Sequence, residues 1–248
     1  MFYEELLVKF STIVREKKLL DKEITIKTRL LKPVEAIGKP DRDDYPLLKG
    51  KEVLMEATFD QVKGQAYTDA PSEFSGLLRK IIDLKLTDSR RRALFIAALN
   101  AVIRYLCPDL TTIHCKNNEP EECSEKIVEF IKPLMPGHVG LIGLQPAILE
   151  ALAKCWGPEQ ILCVDRDEKN RKMLKSGVTI GWGDYQGIEN MFKQSDVVLA
   201  TGSTAVSGSI QEILDLAKKY KRSLFFYGTT IAGPAHLMNL KRLCFKST

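Results

Sequence analysis

The sequence predicts an α/β protein: a Rossmann-like, mostly parallel five-stranded sheet in its second half and a smaller α+β unit in its first. Three observations carry this. From His138 onward, short apolar runs alternate with amphipathic stretches long enough for helices, the rhythm of βαβ units. One run, Val197 to Ala200, is apolar at every position, as a strand covered on both faces of a sheet requires. Before residue 107 the pattern differs, with a helical stripe, alternating strands and then further helices.

Phe2, Leu6, Leu7, Phe10, Ile13 and Val14 form one face of a helix over 2–20. Ile24 to Leu30 alternates and stops before Pro33, a strand with one wet face; Val53 to Phe59 is a second strand. A turn across 60–64 returns the chain through Gln65 to Thr68 as a hairpin partner. Helices are expected over Ser72 to Leu84 and Asp88 to Leu106, the latter carrying the small-residue run Ala97 to Ala101. The stretch Cys107 to Gly137 holds Pro108, Pro120, Pro133 and Pro136 and reads as a connection with one short helix near Pro120 to Lys132. These readings divide the chain into an α+β domain (1–107), an interdomain segment (108–136) and a Rossmann-like domain (137–248). The strands of the last are His138–Ile142, Gln160–Val164, Val178–Ile180, Val197–Ala200 and Ser223–Tyr227, with expected order 3-2-1-4-5.

A chain of 248 residues, 44% hydrophobic and 28% charged, has ample material for buried cores. No apolar stretch approaches a membrane span, and Met1-Phe-Tyr-Glu-Glu lacks the basic opening of a leader, so a cytoplasmic protein with no membrane partner is expected. Six cysteines are too sparse for a disulfide scaffold. Cys155 and Cys163 adjoin apolar runs and read as small buried hydrophobes. The net charge of +5 is spread along the chain, with clusters at Ser89–Arg92 and Lys218–Arg222. The second suits a helix C-terminus; the first, at a helix start, would serve an anion or an interface. With no aromatic interleaving and no known motif, no nucleic-acid partner is expected.

Strand C-termini of a doubly wound sheet open on one edge, where its ligands bind. Three loops should therefore converge: Gly143–Pro146, Thr201–Thr204, and Gly228–Thr230 with Gly233 and Pro234. They offer glycine-flanked N–H groups, the Gln145 amide and several hydroxyls, a set suited to a small anion. Pro146 fits the first turn of its helix. Ser209 and Glu212 have capping-box spacing, so a helix is expected to begin there. Asp165 or Asp167 could take a ribose hydroxyl, but Leu144, Gln145 and Pro146 stand where a dinucleotide loop needs glycine. Weak or absent binding of NAD and S-adenosylmethionine is the expectation, and no cofactor is assigned. His114 and Cys115 with Cys123 could hold a soft metal, but the spacing matches no structural zinc pattern, so no metal ligands are assigned. Asn100, polar within an apolar helix, suits a bond to neighbouring backbone. The chain has no nucleophile elbow, His-Glu zinc helix or P-loop.

The segments Gly140–Ile148, Thr201–Ser209 and Gly228–Pro234 resemble the heavy-metal-chelation family, long catalogued as a domain of unknown function. Gly64–Thr68 and Ala97–Asn100 are similar to its partner domain, and Cys115–Cys123 to the linker of archaeal-type members. The resemblance implies a Rossmann-like domain joined to an enolase-N-terminal-like one, with a cleft between them as the site. On that reading Gly143, Gln145, Thr201, Gly202, Ser203, Thr204 and Thr229 bind the ligand, with Asn100, Glu119 and Tyr67 facing them. The ligand would be a small anionic metabolite or a metal complex, handled by a binding protein or an enzyme of metal or metallophore metabolism. The alternatives are a nucleotide-dependent Rossmann-type enzyme and a non-catalytic metal carrier using Cys115 and Cys123. A homo-oligomer is compatible with the sequence, which does not specify the substrate or reaction.

Overall fold

The computed structural model describes residues 1–20, 25–49 and 53–248, so Ile24 of the first expected strand lies outside the described residues. Helix α1 (Phe2–Glu16) buries Phe2, Leu6, Phe10 and Val14, the predicted stripe. Strand β1 (Thr25–Leu30) leads to a short helix α2 (Pro33–Ile37). Strands β2 (Val53–Phe59) and β3 (Val62–Thr68) form the expected hairpin. The stretch 72–84, expected as one helix, is instead strand β4 (Phe74–Leu77) followed by the single-turn helix α3 (Leu78–Ile82). Gly76, a poor helix former, lies in the part that became a strand, and β1 offered it an antiparallel edge. The four strands form an antiparallel sheet of order β3-β2-β1-β4. Helix α4 (Ser89–Leu106) starts at Asp88, whose side chain accepts from the Arg91 N–H. Helix α5 (Glu119–Ile131) is the short helix of the connection.

The second half alternates as expected: β5 (Val139–Ile142), α6 (Pro146–Trp156), β6 (Ile161–Asp165), β7 (Leu174–Lys175), β8 (Val178–Trp182), α7 (Tyr185–Gln194) and β9 (Val197–Thr201). Then come α8 (Thr204–Ser207), α9 (Ile210–Tyr220), β10 (Ser223–Tyr227), α10 (Ala232–Met238) and β11 (Arg242–Leu243). The five expected strands are β5, β6, β8, β9 and β10; all are parallel and in the 3-2-1-4-5 order. Two-residue strands on the edges, antiparallel β7 and parallel β11, extend the sheet to seven.

Strand alternation sends side chains to two cores. Val139, Leu141, Cys163, Leu199, Phe225 and Tyr227 meet α5 and α6 on one face. Ile142, Val164, Val198, Ala200 and Phe226 meet α7, α8 and α9 on the other. Cys163 is buried as expected, but Cys155 is exposed, on the outer side of α6. Of the cations at 90–92, Arg92 serves an internal join: it donates from Nε to Val206 O (2.7 Å) and from Nη2 to Ser207 O (3.2 Å), and its guanidinium lies over the Tyr3 ring.

Helix α4 joins the two halves. Residues Ala93 to Ile103 are all buried, as a helix covered on every side must be. The antiparallel sheet supplies Met55, Ala57, Phe59 and Ala66 to one side, and the second half supplies Ala205, Val206, Ile231 and Ala235 to the same core. A side chain at Gly64 would run into the backbone of Ala97, Asn100 and Ala101, which explains both that glycine and the small-residue run opposite. Among the described residues, no helix is long and apolar enough to cross a membrane.

Candidate anion site at the strand ends

The three expected loops come together around Tyr227, whose phenol holds the first and whose backbone carbonyl holds the second. Tyr227 ends β10 opposite Thr201, and its hydroxyl donates to Gly143 O at 2.8 Å and Ile142 O at 3.2 Å. Gly143 has a φ of +89°, and an added β-carbon would lie 2.7 Å from Thr201 Cγ2. Glycine is needed there so that two loops can touch. Gly202 plays the same part: its N–H donates to Tyr227 O at 2.8 Å, and an added β-carbon would lie 2.8 Å from Ile231 N. The space over Gly202 is therefore filled by protein. A tyrosine at a strand end reads in sequence as ordinary strand filler, so its tie had no signal.

The hydroxyls divide into three roles. Thr204 is buried and donates to Thr201 O at 2.7 Å, which starts α8. Thr201 Oγ1 and Ser203 Oγ lie 3.0 Å apart, and both residues stay partly exposed. Thr229 is 1% exposed, and its Oγ1 has no hydrogen-bond partner. An isolated buried hydroxyl is costly, by about 1–3 kcal/mol. A helix begins at Ser209 as expected, α9, but the capping box does not form: α8 ends at left-handed Gly208 just before it, and the Ser209 hydroxyl meets that of Ser207 at 3.1 Å.

Gln145 caps α6, its Oε1 accepting from Ile148 N at 2.6 Å. Asp165, weighed as a ribose ligand, accepts from Leu144 N at 2.7 Å, Asp167 N at 2.7 Å and Asn170 Nδ2 at 3.0 Å. It braces the very loop that would have to receive a pyrophosphate. Arg242 is the cation behind the site; its Nε donates to Gly228 O at 2.9 Å and its other nitrogens hold Thr111 and Ser247.

The first half reaches these loops through Tyr67 and Asn100. Tyr67 N donates to Thr230 Oγ1 at 2.9 Å, and its ring meets His114 edge-on at 5.5 Å. It also packs on the cluster of Leu31, Ala36, Ile37, Tyr45, Leu54 and Ala147, which sets 31–45 against the first turn of α6. Arg42, ion-paired to Asp44 and Glu150, holds that segment down. Asn100 is fully buried. Its Nδ2 faces Gln65 O (2.8 Å), Thr229 O (3.2 Å) and Thr230 O (3.1 Å), and its Oδ1 accepts from Gly233 N (2.7 Å). The amide is thus occupied by backbone. Glu119 accepts from Lys116 N at 2.7 Å, near His114, Cys115 and Lys246. His114 Nδ1 is buried with no partner. Burial pushes its imidazole below the usual value, so it is neutral at pH 7.

Burial likewise raises the Cys115 thiol. Among the described residues, no three His, Cys, Asp or Glu side chains are grouped to hold a metal ion. Two surface hollows, of about 380 and 310 Å³, lie elsewhere: one is lined by Leu224, Phe226 and Lys241, the other by Arg15, Arg79 and Ile82. Neither is lined by a residue of the three loops, which form a polar rim at the strand ends.

No family model and no curated protein matches the chain. Solved structures share its fold, two DUF364-family proteins among them. One, a DUF364-family protein of unknown function from Pyrococcus horikoshii, aligns at a TM-score of 0.52 and 17% identity over 91% of this chain and 79% of its own. The other, a DUF364-family protein of unknown function from Desulfitobacterium hafniense DCB-2, aligns at 0.51 and 13% over 75% and 71%. At such identities the likeness is one of fold. It fits the expected α/β architecture and an uncharacterised family, and says nothing of metal chelation.

Proposed function

We propose that this protein binds a small anionic metabolite, free or as a metal complex, at the strand-end rim beneath residues 31–45. The observation that carries this reading is Thr229: a hydroxyl left unpartnered in the interior, within a loop that adjoins the paired hydroxyls of Thr201 and Ser203. An anionic oxygen would accept from Thr229 and from whichever of Thr201 and Ser203 does not spend its proton on the other. Hydroxyls and loop N–H groups can hold such an oxygen without a bound cation, and Arg242 adds a positive field from behind. Ser203, Thr201 and Thr229 are the contacting residues on this reading, while Gly143, Gly202, Thr204 and Gln145 shape the loops. Tyr67 and the neutral His114 flank the rim from the first half.

The nucleotide-dependent alternative is disfavoured by the Leu144 N–H, which Asp165 already occupies. The carrier alternative lacks a grouped ligand set among the described residues.

The experiment is a melting series with phosphate, sulfate and citrate, beside mass spectrometry of small molecules that co-purify. A specific anion should raise Tm with a saturating concentration dependence. An identical, non-saturating rise with all three salts would mean general salt stabilisation and would overturn the reading.

A further inference from the structure

Outside the rim, α5 and the C-terminal tail bring sulfur together. Cys123 lies one turn into α5, and its Sγ accepts from the N–H of Phe245 at 3.4 Å. That contact sets Cys123 against the Cys244–Phe245 peptide, close enough for each thiol to shift the other's ionisation. Cys115 is near both. The tail is held by further contacts: Ser247 meets Thr111 Oγ1 at 2.6 Å, Lys246 pairs with Glu122, and Thr248 exchanges backbone bonds with Ile113 at 2.7 and 3.1 Å.

We propose that Cys123 and Cys244 are a reversible redox pair that forms a disulfide with a low-molecular-weight disulfide as oxidant. The pair is unequal. The neighbouring Cys123 S–H holds the Cys244 thiol well below its usual value against the effect of burial, aided by the Arg242 guanidinium and the Ser247 hydroxyl. Cys123 is pushed the other way, first by its neighbour Cys244 and then by burial. Cys244 is therefore the attacking thiolate. It displaces one small thiolate from the oxidant and forms a mixed disulfide. Cys123 then gives up its proton, attacks the Cys244 sulfur and expels the second small thiolate. The oxidant gains two electrons and two protons and leaves as two thiols; the protein loses two hydrogens and gains one S–S bond.

The closed loop would span 123–244 and fix the tail against α5, close to His114 and the Gly228 loop that Arg242 holds. Closing a loop of that length should raise Tm by on the order of 10 °C.

The test is to treat the full chain with oxidised glutathione, alkylate under denaturing conditions, and map peptides by mass spectrometry. The expected result is a loss of two thiols, a linked pair of peptides holding Cys123 and Cys244, and a rise in Tm that dithiothreitol reverses. C155S, at the exposed cysteine, and C115S should leave the link intact, while C244S should abolish it. The mapping on the unmutated chain needs no variant to fold. A link through Cys115, or glutathione on Cys155 with Cys123 and Cys244 both still free, would overturn the proposal.

Discussion

Asn100 and Thr229 face the same joint between the two halves, and the structure treats them in opposite ways. The amide has every donor and acceptor matched to backbone from β3, the Gly228–Ile231 loop and α10. The hydroxyl, equally sheltered, has none. A buried polar group that is fully matched fixes geometry, whereas one left unmatched makes sense where something else is meant to arrive. Asn100 belongs to the fold, and Thr229 marks the rim. The sequence expectation placed both in the ligand shell, Thr229 because it follows a strand end and Asn100 through the family resemblance.

Substitutions can break that contrast, beginning with the largest effect. Asn100→Leu removes four matched contacts and strands Gly233 N with three carbonyls inside the core, so unfolding free energy should fall by about 3 kcal/mol or more. Urea denaturation checks this, and a loss under 1 kcal/mol would mean that Asn100 does not hold the joint. Gly202→Val should cost about 1–3 kcal/mol, because its side chain meets Ile231 rather than an open approach. A fully stable G202V with altered anion binding alone would restore Gly202 to ligand contact.

The next effect depends on pH. His114 has a folded-state value lowered by burial from the ordinary 6.5. Between that lowered value and about 6.5 the unfolded chain binds the extra proton, so stability is complete above this window and declines as pH falls through it. Chemical denaturation from pH 7.5 to 5 should show the decline, and His114→Gln should flatten it. An unchanged slope in H114Q would assign the decline to other groups. Ser203→Ala should leave stability within about 0.5 kcal/mol but weaken anion binding by roughly 1 kcal/mol, read as a fivefold rise in Kd by calorimetry.

The sheet of the second half was legible because its central strands β5 and β9 are buried on both faces and its short apolar runs are bounded by loop residues, a pattern that tertiary context reinforces. The stretch 72–84 was not, since Phe74, Leu77, Leu78, Ile81 and Ile82 fit a helical stripe. What decided it was the distant edge of β1, which no local pattern displays. The three loops were legible by topology. Their internal division was not: that Ile231 covers Gly202 and that Tyr227 ties down Gly143 depend on contacts across long sequence separations, and the Gln145 cap of α6, though local, looks in sequence like any other loop amide. Glu119 was placed on the side facing the loops, and its neighbours there, His114 and Cys115, carry no spacing that sequence alone ties to it.

Thr229→Val gives the most direct test, because valine keeps the shape of threonine and removes the hydroxyl alone. Stability and phosphate or citrate binding should be measured together by denaturation and calorimetry. With an unmatched hydroxyl awaiting an anion, stability should hold or rise by up to about 1 kcal/mol while anion affinity drops severalfold. A loss of more than 1 kcal/mol in stability with anion affinity unchanged would contradict the account and make Thr229 a structural residue like Asn100.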